Sequence, residues 1–248
     1  MKPEEEVSER LTNPDPFALP RRVQEALSCC CTEGVHGEDI SYLWLHVTET
    51  GIGQGAGEGG HDLSLDEWLS IIDEAASGGV QNMMVSVLTS LSSHKDWWEI
   101  CSWAQCTHGM DVGIYTNGDS ISGDDLAQFR RLNPAQTRIY VRKDVLEQVS
   151  DLADEGFRVA DGDVDLKAGS GCCSFPVRMV FVNAQGVLYT CGKVEGHVDH
   201  CLGTAFAGRL SEILSDTNLP HEIANLGSPN QNACNGCPPL LARYFKGD

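Results

Sequence analysis

Four of the chain's eleven cysteines sit where their thiolates could share one metal site. Cys173 precedes an alternating apolar stretch, Cys191 follows it, and Cys234 and Cys237 form a C-x-x-C further on. Thiolates gathered from a hairpin and a following knuckle give tetrahedral sulfur coordination, which suits a [4Fe-4S] cluster or zinc, and sulfur chemistry alone does not separate the two. Cys172 rivals Cys173 for the first position. A disulfide framework is the competing reading. The odd count weighs against it, as does an N-terminus (MKPEEEVSER) without the basic start and apolar run of a secretory signal, which points to a cytoplasmic location where thiols stay reduced. Packing alone seldom yields a C-x-x-C.

Other residues invite chemistry with less support. Cys29, Cys30 and Cys31 are consecutive, so on a helix they point about 100° apart and read as partly buried thiols. Gly55, Gly57 and Gly60 satisfy G-x-G-x-x-G formally. The following helix is capped only at Ser64, too late for the last glycine amide to meet a pyrophosphate, so a glycine-rich loop is the preferred reading. His197, His200 and Cys201 could form a second metal site, but read better as loop residues tuning a site at Cys191 through hydrogen bonds. Asp161, Asp163 and Asp165 imitate the start of a calcium loop without its closing glutamate. Trp97, Trp98 and Trp103 read as helix packing.

The elements that would position these residues alternate. Residues 1–41 read as an arm followed by a short helix from Pro20 to about Gly34. The run YLWLHVT predicts a buried first strand, and Ser64 with Glu67 predicts a capping box opening a helix with Leu65, Trp68, Leu69, Ile72 and Ala76 on one face. MMVSVL, HKDWWEICSWAQCTHG and DVGIYTNG predict strand, helix and strand; a helix over 123–132, the strand TRIYVR, a helix over KDVLEQVSDLADEG and the strand FRVAD complete an α/β order. Right-handed crossovers then give a partial, open α/β barrel over residues 42–162. Residues 163–248 predict a small cysteine-rich module, with a β-hairpin of PVRMVFVN and VLYT and the helix GRLSEILSD.

Composition bounds the partners. The chain has 17 Lys plus Arg against 36 Asp plus Glu, a net charge of -19, and so repels the phosphates of nucleic acids and anionic membranes. No stretch approaches the roughly 20 apolar residues of a membrane helix.

The spacing from Cys173 through Gly186 to Cys191, followed by Cys234-Asn-Gly-Cys237, resembles the auxiliary-cluster module of radical S-adenosylmethionine (radical SAM) enzymes, the SPASM domain. With no cysteine beyond Cys237, it looks like the truncated "twitch" form with one [4Fe-4S]. LWLHVTE, SLDEWLSIIDEAASGGVQNMMVSV and DVGIYTNG resemble the first strands and helix of the radical-SAM-type barrel. The resemblance implies that Cys173, Cys191, Cys234 and Cys237 ligate one cluster.

The family's catalytic C-x3-C-x2-C belongs in the loop after strand 1, where this chain reads GIGQGAGEGGHD. Its G-G-E-P-type segment belongs after strand 2, where this chain reads TSLSSHKD. The expectation is a pseudoenzyme that does not use S-adenosylmethionine and works beside a complete radical SAM enzyme, or its peptide or protein substrate, in peptide or cofactor modification. Two further readings stay open: an independent iron-sulfur enzyme using the barrel face around Thr116 and Asn117, and a zinc-stabilised interaction domain.

Overall fold

The computed structural model describes residues 42–47, 62–162, 179–206, 209–219 and 222. The expected helix over 20–34, Cys29–Cys31, the glycine loop, Asp163, Asp165, and Cys172, Cys173, Cys234 and Cys237 lie outside them.

Five parallel strands alternate with helices: β1 (Tyr42–His46), α1 (Leu65–Ser77), β2 (Asn82–Val87), α2 (Trp97–His108), β3 (Asp111–Thr116), α3 (Gly123–Phe129), β4 (Thr137–Val141), α4 (Ser150–Asp154) and β5 (Arg158–Asp161). Strands β6 (Met179–Val182), β7 (Val187–Tyr189) and β8 (Cys201–Thr204) follow, then α5 (Arg209–Ser215). All eight strands form one sheet in the order β5-β4-β3-β2-β1-β6-β7-β8, which does not close. The fold is a partial, open α/β barrel, as the element order predicts. The hairpin β6–β7 forms, and β6 also runs parallel to β1, with Tyr42 opposite Met179 and Leu45 opposite Val182.

Local signals explain the boundaries. The Ser64 hydroxyl accepts from the Glu67 N–H, and the Glu67 carboxylate accepts from the Ser64 N–H at 2.8 Å, the predicted capping box. Helix α1 buries Trp68, Ile71, Ile72 and Ala75, while Leu65, Leu69 and Ala76 pack at the edge of the core, so the buried stripe is turned toward Ile71 from the predicted one. Gly109, at φ 67°, ends α2 in the left-handed conformation. The helix predicted over KDVLEQVSDLADEG divides into a 3₁₀ turn at Leu146–Val149 and the short α4, because Val149 departs from helical backbone at φ -113°, ψ 4°.

The tryptophans of α2 split three ways. Trp97 is wholly buried with its ring 4.9 Å from that of Phe129. Trp98 borders the core under the Arg131 guanidinium, 3.8 Å from its ring centre. Trp103 corrects the expectation: it is 37% exposed and donates its indole N–H to Asp73 at 2.6 Å.

The outer face of the sheet carries Leu43, Leu45, Met83, Val85, Ile114 and Ile139 against the helices in one large aliphatic cluster. The inner face carries a second, aromatic cluster of Tyr42, Trp44, Met84, Tyr115, Tyr140, Met179, Phe181 and Tyr189. Pleating sends successive side chains to opposite faces, so β1 supplies both clusters from one unbroken apolar run.

Candidate functional site

The inner face is organised in rows across the sheet. One row runs Phe181, Trp44, Met84, Gly113, Arg138, Arg158; two residues nearer the C-terminal ends of the strands, another runs His46, Ser86, Tyr115, Tyr140, Ala160. Parallel α/β architectures place ligand chemistry at those ends.

His46 is the polar group that stands out there. It is 5% exposed, and its Nε2 is buried without a hydrogen-bond partner among the described residues. Burial lowers its pKa to about 4, so the imidazole is neutral near pH 7. Its Nδ1 faces the Glu195 carboxylate at 3.9 Å, and Glu195 accepts from the Asn183 side-chain amide at 3.0 Å. A carboxylate beside Nδ1 favours the proton there and leaves the lone pair on Nε2. Beside it, the Trp44 indole donates to the Ser86 hydroxyl at 2.8 Å, and Ser86 donates to the Leu45 carbonyl at 3.1 Å, so Ser86 is fully engaged.

Glu195 reaches His46 because the chain after β7 turns back over the inner face. Cys191 packs at the edge of the aromatic cluster, and a Cβ on Gly192 would lie 2.6 Å from the Phe181 ring and 2.8 Å from Trp44. Only glycine passes there. Val194 is buried, and Glu195 then arrives at the mouth. The Cys191 thiol is half-buried and accepts the Lys193 backbone N–H at 3.4 Å. The same contact caps the 3₁₀ turn Gly192–Val194, and hydrogen bonds to a cluster's sulfurs are among the factors that set its potential.

The other predicted residues fall as follows. Cys173, Cys234 and Cys237 lie outside the described residues, and among the described residues no three His, Cys, Asp or Glu side chains gather to hold a metal ion. His200 is buried with its Nδ1 2.9 Å from the Thr190 hydroxyl, and burial lowers its pKa, followed by the effect of neighbouring His197. His197 and Cys201 are exposed, and Cys201 opens β8, an unpredicted strand that pairs with β7. Asp161 ends β5. The Thr116 hydroxyl donates to the Thr89 carbonyl at 2.9 Å and accepts from Gly118 N–H at 3.1 Å, so it ties the β2 and β3 loops together. A Cβ on Gly118 would lie 3.0 Å from the Ser90 Cα, which accounts for glycine in the T-N-G turn. In the TSLSSHKD segment, burial lowers the pKa of His94.

Sequence reasoning missed His46, Glu195 and Asn183. A histidine in an apolar strand looks like core, and no local spacing connects it to residues of a distant loop.

No protein-family model matches the chain, and no curated protein matches it. Solved structures do. BtrN in complex with AdoMet and 2-DOIA superposes with a TM-score of 0.56 at 11% identity, over 81% of this chain and 92% of that one. Selenomethionine-substituted BtrN in an open conformation superposes at 0.52 with 13% identity and the same coverage. BtrN is a radical SAM enzyme, and this chain has a radical-SAM-type fold. The likeness corrects the wider expectation of a radical SAM superfamily protein with a truncated SPASM, twitch-like domain. At such identity only the fold is shared, no family model supports that domain, and the hairpin predicted as its core is joined strand to strand with β1 of the barrel. Among the described residues no helix is long and apolar enough to cross a membrane.

Proposed function

We propose that this chain is an iron-sulfur protein on a radical-SAM-type fold that does not cleave S-adenosylmethionine itself and supports a complete radical SAM enzyme in peptide or cofactor modification. In this reading Cys173, Cys191, Cys234 and Cys237 hold one [4Fe-4S] cluster, which supplies electron transfer or structural stability. The observation that supports it is the half-buried Cys191 thiol, which accepts the Lys193 N–H at the edge of the inner-face cluster. In this reading the mouth takes no second, catalytic cluster, which is supported by the lack of cysteine between Cys31 and Cys101 and by His46 and Ser86 at the described strand ends. The location proposed is cytoplasmic.

A second reading is an independent enzyme working at the mouth, favoured by the neutral His46 with its unpartnered Nε2. A third is a zinc-stabilised interaction domain on the same four cysteines.

Anaerobic purification with iron, sulfide and zinc quantitation separates them. About four irons with matching sulfide, lost in Cys191→Ala and Cys234→Ala, and no cofactor cleavage with S-adenosylmethionine and reductant, is the expected result. Zinc without iron, or cofactor cleavage by the isolated chain, overturns the proposal.

A further inference from the structure

Two arginines stand side by side on the inner face. Arg138 of β4 and Arg158 of β5 are direct partners across the ladder, which holds their backbones about 4.8 Å apart. Like charges placed directly opposite repel, so the buried member, Arg138, calls for a counter-charge. Among the described residues Arg138 has an ion pair that is only loosely engaged: its Nη1 lies 3.7 Å from Asp111, well beyond the length of a charge-assisted hydrogen bond. Arg138 is 8% exposed, and its Nε is buried with no hydrogen-bond partner among the described residues. A buried guanidinium donor left unmet is costly.

The surroundings have the form of a receptor for negative charge. Tyr140 stands two residues beyond Arg138 on the same face, and both guanidinium charges act on its buried phenol. Among the described strands β5 is an edge of the sheet, and Arg158 on it is exposed. Arg158 therefore stands between that edge and the buried Arg138 in the strand register.

We propose that Arg138, Arg158 and Tyr140 form an oxyanion site, which takes the carboxylate or phosphate group of a small ligand entering at the β5 edge. Arg158 attracts the anion, and Arg138 donates its free Nε–H to one oxygen. This site is independent of the cysteine cluster and of whether the chain acts alone.

The test is a titration of the full chain, with arginine side chains labelled with nitrogen-15, by inorganic phosphate and separately by succinate, with chloride at matched ionic strength as control. The Arg138 Nε–H signal, assigned by its loss in Arg138→Lys, should shift saturably with one oxyanion or both, and the responding anion identifies the source. Arg158→Gln, at an exposed position, should keep the fold by circular dichroism and weaken binding about ten-fold or more. No saturable shift with either oxyanion, an equal response to chloride, or unchanged affinity in Arg158→Gln would overturn the proposal.

Discussion

The Glu195 carboxylate lies 3.9 Å from Nδ1 of His46, a pairing between the end of β1 and the segment that crosses back from β7. It holds a neutral imidazole in the mouth of an open barrel, with the opposite nitrogen bare of described partners. Burial lowers the pKa to about 4 from 6.5, so the folded state resists a proton that the unfolded chain accepts. Above pH 6.5 neither state binds it and stability is unaffected; between 6.5 and 4 the unfolded state gains the proton first, and stability falls with pH. From pH 7.5 to pH 5 the loss due to His46 should be of order 2 kcal/mol. Denaturant unfolding of the native chain and His46→Gln at both pH values checks this: the variant should lose correspondingly less, and equal losses would remove His46 as the cause.

Gly192 makes that pairing possible, because its missing side chain lets the chain pass over Phe181 and Trp44. Gly192→Ala should cost about 1–3 kcal/mol through overpacking, read from the denaturant midpoint. Gly123→Ala is the control: no heavy atom lies within 4 Å of its added methyl and its φ is not positive, so stability should hold or rise by up to about 1 kcal/mol. A Gly192→Ala chain as stable as the native one would mean that the crossing segment gives way easily.

Trp97 and Trp103, on the same helix, should differ sharply in what their substitution costs. Trp97 is fully enclosed beside Phe129, so Trp97→Ala should cost about 3–5 kcal/mol. Trp103→Phe keeps the ring and loses the hydrogen bond to Asp73 on the surface, and should cost about 1 kcal/mol or less. Thermal unfolding followed by circular dichroism separates them, and comparable losses would contradict the exposed placement of Trp103.

The elements from β1 to β5 were legible because each has a local signal: the Ser64–Glu67 capping box, Gly109 at the end of α2, and the branched runs of β2 to β4. The pairing of β6 with β1 was not, since strand partnership over such a separation depends on tertiary packing. Strand β8 escaped because CLGT is short, largely solvent-facing, and contains Gly203 at φ 117°. Of the residues lining the candidate site, Cys191 alone was singled out by the sequence. His46 and Arg138 gain meaning from the face they share with distant residues, and in β1 every position is buried, so the sequence pattern cannot tell inner from outer face.

Thiol reactivity gives a direct check on the buried face. Cys101 lies in the aliphatic core of α2, where burial pushes its thiol well above the usual range, whereas Cys106 and Cys201 are exposed. Only the thiolate attacks an alkylating reagent, so Cys101 lacks both access and the reactive form. Brief iodoacetamide treatment of the native chain, read by peptide mass spectrometry, should label Cys106 and Cys201 and spare Cys101 until denaturant is added. Cys191 tests the metal reading in the same experiment. Protected in anaerobically purified protein and labelled after iron is chelated, it would behave as a ligand thiolate; equal labelling before and after would leave it an ordinary half-buried thiol and count against the cluster.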